Sequence, residues 1–119
     1  MMAWQDNPKP QLVDAVDRSH VIIADIEQGR IPRDDREADF KGARWLFGGL
    51  WEFGGRTTMG APLYDYAQRM PPAAARPESH LSGLALFTEG LDTNPFAFDL
   101  YSEMAWHSES VDLDQWTAT

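Results

Sequence analysis

Three observations predict an α/β fold with parallel strands. The apolar runs "VIIA", "WLFGGL" and "LSGLALF" are continuous rather than alternating, as in strands buried on both faces. Stretches with apolar residues at helical spacing precede, separate and follow them, an alternation that builds parallel sheets. Each run closes on carboxylates: Asp25 and Glu27, then Glu52, then Glu89. In such folds the C-terminal edge of the strands is where ligands bind.

The 119 residues suffice for one small domain. Aromatic residues make up 12%, with five Trp, and that much ring surface implies a packed core. Nineteen acids against ten bases give a net charge of -9 without a basic cluster, which argues against nucleic acid and against anionic membrane surfaces. Cysteine is absent, so thiolate chemistry and disulfides are excluded. No apolar run approaches the ~20 residues of a membrane-spanning helix. The opening "MMAWQDNPKP" lacks the basic and apolar regions of a signal peptide.

Along the chain, "MMAW" is a short apolar patch broken by the two prolines of "DNPKP". Leu12, Val13 and Val16 predict a short helix, and Val21 to Ala24 a first strand. "RIPRDDREADFKG" is polar enough for a surface connection. Trp45 to Leu50 is the second strand, with glycines at 48, 49, 54 and 55 that permit close backbone approach. A helix begins near Pro62 with Leu63, Tyr66, Ala67 and Met70 on one face, and Pro71-Pro72 are expected to end it. "HLSGLALFTE" is the third strand. In the helix that follows, Asn94 or Thr93 is the N-cap, Pro95 takes the first turn, and Phe96, Leu100 and Met104 form a stripe. "VDLDQW" opens another helix.

Glu89 is the leading candidate for chemistry: Gly90 would let the backbone turn away and present the carboxylate to a pocket. The same residues serve equally a strand-end acid facing water. In "LWEFGGR", Trp51 could stack on a sugar ring and Glu52 accept from hydroxyls, or both could belong to an ordinary strand end. His20, His80 and His107 lack zinc-helix spacing and read as structural, the first two at the N-terminal edge. Met59, Met70 and Met104 read as core filler. No phosphate loop and no nucleophile elbow is present.

Taken together, these strings resemble glycoside hydrolase family 89, the α-N-acetylglucosaminidases. Phe53, Gly54, Gly55 and Gly60 match the family's "F-G-G" loop and the turn after it. Glu89, Gly90 and Asn94 match its "E-G-I-x-Q-N", Glu103 and Trp106 its following helix, and Asp25 its preceding "V-L-I-L-D-L" strand. Trp51-Glu52 replaces the family's His-Asn, and Arg56 replaces an Asn, which implies different contacts beyond the first sugar ring.

The resemblance implies a fragment of a (β/α)8 barrel, about three parallel strands with helices. Residues 1–109 would be its C-terminal portion, and 110–119 the start of an all-helical domain. It implies a retaining glycoside hydrolase that removes terminal α-linked N-acetylglucosamine, with Glu89 the nucleophile. Trp51, Glu52 and Asn94 would bind substrate, and neither metal nor cofactor is implied. The family's acid/base glutamate lies on an earlier strand, so the isolated chain is expected to be inactive without the rest of the barrel, its implied partner. The family points to secreted, periplasmic or lysosomal full-length proteins. The competing class is a non-catalytic module derived from such a barrel, serving sugar binding or subunit contact.

Overall fold

The computed structural model describes residues 1–4, 7–26, 39–51, 63–88 and 94–118, with backbone alone at Leu50, Trp51 and Thr88. Four strands, β1 (Met2–Ala3), β2 (Ile22–Asp25), β3 (Arg44–Trp51) and β4 (Leu81–Thr88), form one sheet in the order β1-β2-β3-β4. Every neighbouring pair is parallel. Because the order never reverses, crossovers of one hand place the described helices on the same face. That is the arrangement of a barrel wall, whereas a doubly wound sheet reverses direction and is covered on both sides.

The helices are α1 (Pro10–Ala15), α2 (Leu63–Ala75), α3 (Pro95–Glu103) and α4 (Leu113–Thr117). Against them the sheet presents Ala3, Ile23, Trp45 and Phe47, which pack with Tyr66, Ala67, Met70, Ala97, Leu100, Tyr101 and Met104 into the main core. Met70 and Met104 are core residues, as their spacing predicts. On the opposite face a smaller cluster of the described residues is buried, Ala24, Ile26 and Ala85 with Leu46 beside them. Met2, Ile22 and Phe87 on that face are exposed.

A bulge keeps β4 in phase. Trp45 pairs with Leu81 but Phe47 pairs with Leu84, so Ser82 and Gly83 stand opposite Leu46 alone. The extra residue lets Leu81, Leu84 and Leu86 all reach the helix-covered core, which strict alternation would forbid. Gly83 takes the positive φ, 150°, that this requires.

The structure departs from the sequence reading in three places. "MMAW" contains a fourth strand, too short to reveal a period. Only its pairing, Met2 with Ala24 and Ala3 with Asp25, defines it. In the predicted stripe, Leu100 of α3 and Met104 just after it are buried but Phe96 is half exposed. Its ring instead meets Trp116 of α4 edge-on at 4.9 Å.

The third departure is that Pro71 and Pro72 lie inside α2, which runs on to Ala75. Each proline removes the N–H that would reach the carbonyl four residues back. Those two carbonyls find donors elsewhere: Ala67 accepts from the Val111 N–H at 3.0 Å, and Gln68 from the Ser110 hydroxyl at 3.3 Å.

Candidate active site at the C-terminal edge of the sheet

The C-terminal ends of β3 and β4 lie level, Trp51 paired with Thr88, while Asp25 at the end of β2 pairs with Phe47, four residues before the end of β3. Asp25 is fully buried and shares the parity of Ile23, the helix-covered side. Its charge bears on the ionisation of Tyr101.

Tyr101 comes from α3, where the spacing 97, 100, 101, 104 turns it inward. Its ring meets Tyr66 of α2 edge-on at 5.0 Å. Its hydroxyl lies 2.5 Å from the Phe47 carbonyl oxygen and 3.1 Å from that of Ala85. Burial first, and the Asp25 charge as well, push its ionisation far above the usual tyrosine range, so the group stays a donor. The sequence reading missed this residue. Its inward position in the α3 stripe was the available signal.

Gly48 lies at the same level. A Cβ there would stand 2.6 Å from the Asp25 carbonyl oxygen and 3.0 Å from that of Ala85. Glycine is therefore required by close approach of both neighbouring strands.

Of the predicted site residues, Asn94 is described. It caps α3, its Oδ1 accepting the N–H groups of Phe96 at 3.1 Å and Ala97 at 3.3 Å. Pro95 follows in the first turn, as the sequence predicts. Trp51 is the last residue of β3, but its side chain lies outside the described residues. Glu27, Glu52, Met59, Glu89 and the "FGGRTTMG" loop lie outside them too. Glu89 follows directly on Thr88, the last residue of β4.

The opposite edge is a polar clamp. Asp39 accepts from the Trp45 indole Nε1–H at 2.6 Å and the His80 backbone N–H at 2.9 Å, and it also pairs with His80 Nδ1. It opens a left-handed turn in which Asp39, Phe40 and Lys41 have φ of 52°, 46° and 57°. An Arg18 guanidinium N–H donates to the Lys41 carbonyl at 3.0 Å, and Lys41 pairs with Asp14 at 2.5 Å. His20 and His80 therefore precede β2 and β4 at the N-terminal edge, and His20 bonds Asp17 at 3.0 Å. His107 pairs with Glu103 at 3.2 Å.

Comparison with known proteins agrees with the motif reading. The family model "Alpha-N-acetylglucosaminidase (NAGLU) tim-barrel domain" matches residues 1–108. The α-N-acetylglucosaminidase of Homo sapiens is 29% identical over 111 residues, which span 91% of this chain and 15% of that protein. A family 89 glycoside hydrolase from Clostridium perfringens in complex with PUGNAc is 28% identical, with a TM-score of 0.82 over 98% of this chain and 13% of that one. The same organism's enzyme with two glutamates replaced by glutamine, in complex with its substrate GlcNAc-α-1,4-galactose, gives 26% identity, a TM-score of 0.81 and the same coverage. The chain thus spans about one seventh of the relatives it matches. Its four sequential parallel strands form part of a barrel wall, and the chain belongs to the α-N-acetylglucosaminidase family, glycoside hydrolase family 89.

Proposed function

We propose that this chain is the nucleophile-bearing part of a retaining α-N-acetylglucosaminidase and that Glu89 is the nucleophile. The observation that carries the reading is the location of the "EG" motif, immediately after the last residue of β4 at the C-terminal edge of a barrel-type sheet. Glu89 is also two and four residues beyond Phe87 and Ala85, the spacing that repeats one strand face. Those two residues belong to the face that none of the described helices covers, which in a barrel is the interior.

Glu89 attacks the anomeric carbon from one side and the glycosidic bond to the leaving oxygen breaks. A second carboxyl group, roughly 5–5.5 Å from the first, protonates that oxygen and then deprotonates the water that releases the sugar. By the family resemblance this acid/base comes from outside residues 1–119. Trp51 packs on the apolar face of the ring, while Glu52 and Asn94 bind its polar groups. In Asn94 the carbonyl oxygen already caps α3, so its amide N–H groups are the ones offered to sugar. Residues 110–119 lead into the helical domain, anchored first on α2.

Without its acid, the isolated chain lacks a contribution of roughly 10²–10⁴-fold to leaving-group departure. It does not turn over GlcNAc-α-linked disaccharides. A dinitrophenyl leaving group needs no proton, so dinitrophenyl α-N-acetylglucosaminide tests the nucleophile by itself. Intact-mass and peptide mapping are expected to find one slowly formed glycosyl adduct on Glu89, absent in Glu89→Gln. An adduct elsewhere, or saturable sugar binding unchanged in Glu89→Gln with no adduct at all, would establish the non-catalytic reading instead.

A further inference from the structure

We propose that Tyr101 is a positioning residue: its hydroxyl, reaching from α3 to the carbonyls of Phe47 and Ala85, sets the spacing of the C-terminal halves of β3 and β4. The inference deepens the reading of Glu89 and Trp51-Glu52 as one site, since those residues directly continue the two strands.

The geometry is specific. The hydroxyl has one hydrogen, and with oxygens at 2.5 Å and 3.1 Å it is given to Phe47 and shared with Ala85. The two acceptors lie on different strands, so a single side chain ties them together. Phe47 precedes Trp51, the last residue of β3, by four residues, and Ala85 precedes Thr88, the last of β4, by three. The tie therefore acts a few residues below the paired ends of both strands.

Two further features hold the tie in place. Tyr66 of α2 braces the Tyr101 ring edge-on, so the helices on either side of β4 in sequence both fix the hydroxyl. At Gly48, the absence of a Cβ lets the Asp25 and Ala85 carbonyls close in from both flanks, so the three strands approach one another at the level of the bonded carbonyls. A tyrosine needed only for its ring would have no reason to place its oxygen between two strand carbonyls. Phenylalanine would fill the same space.

The test is Tyr101→Phe in the full chain, followed by residue-resolved amide hydrogen exchange. Losing one buried hydrogen bond is expected to speed exchange about tenfold at Gly49, Leu50, Leu86 and Phe87, with Ile22 to Ala24 unchanged. Adduct formation from the dinitrophenyl glycoside is expected to slow by a similar factor. Uniform acceleration across all four strands, or none, would overturn the proposal by reducing Tyr101 to packing. If the variant does not fold, the wild-type chain decides. A slowly exchanging Tyr101 hydroxyl proton coupled to the Phe47 carbonyl is expected, and its absence overturns the tie. Failure of Glu89 to label in the wild type would sink the nucleophile reading, while the exchange pattern would still decide the role of Tyr101.

Discussion

The backbone N–H of Val111 donates to the carbonyl of Ala67 at 3.0 Å, filling the place of the donor that Pro71 lacks. Gln68 reinforces the join, its side-chain amide donating to the Val111 carbonyl at 2.9 Å. The segment leading into α4 is thus bonded into the flank of α2, where the two prolines leave carbonyls without a donor from the helix. Gln68→Ala is expected to cost about 1 kcal/mol. In urea unfolding it would also expose the Ser110 and Val111 amides to faster exchange. Unchanged stability and protection would mean that the segment is only resting on the helix.

At Gly48 the obstacle is backbone, which cannot rotate aside. Gly48→Ala would push a methyl group to 2.6 Å from the Asp25 carbonyl oxygen. The expected loss is about 1–3 kcal/mol, the usual cost of overpacking, read as a lowered thermal midpoint. A variant as stable as the parent would mean that β2 and β3 separate freely there.

Asp39 holds a buried indole and a strained turn with one carboxylate. In Asp39→Ala the Nε1–H of Trp45, a fully buried residue, loses its 2.6 Å acceptor. An orphaned buried donor costs about 1–3 kcal/mol, and the left-handed backbone at Asp39 to Lys41 loses its anchor as well. Chemical denaturation should register the loss, and the Trp45 indole proton should move toward its solvated NMR position. Retention of both would show the clamp to be dispensable.

Glu103 joins α3 to α4 by accepting the Trp116 indole N–H at 2.7 Å and pairing with His107 at 3.2 Å. The Trp116 bond first, and His107 next, hold its carboxyl below the usual glutamate range. Stabilisation of this kind is present above the ordinary glutamate value and is lost as pH falls through the depressed one. Acidification is therefore expected to release Trp116, seen as a shift of its indole proton. Glu103→Gln should abolish that shift, and a titration identical in both proteins would refute the link.

The sequence by itself determined the parallel α/β class, three of the four strands among the described residues, a helix cap at Asn94 or Thr93, and the family motifs. Each of these is a local signal. A continuous β-branched run reports a strand buried on both faces, and an Asn-Pro pair before an apolar stripe reports a helix start. Tertiary structure alone decided the rest. Two residues, Met2 and Ala3, have no detectable period and become a strand only by pairing with β2. Pro71-Pro72 reads locally as a helix end, yet the helix continues because donors from distant Ser110 and Val111 serve its side. Asp25 reads as a strand-end acid, but the fold buries it completely. Local sequence encodes what a segment does with its own backbone. It does not encode which distant segment will supply the missing hydrogen bond.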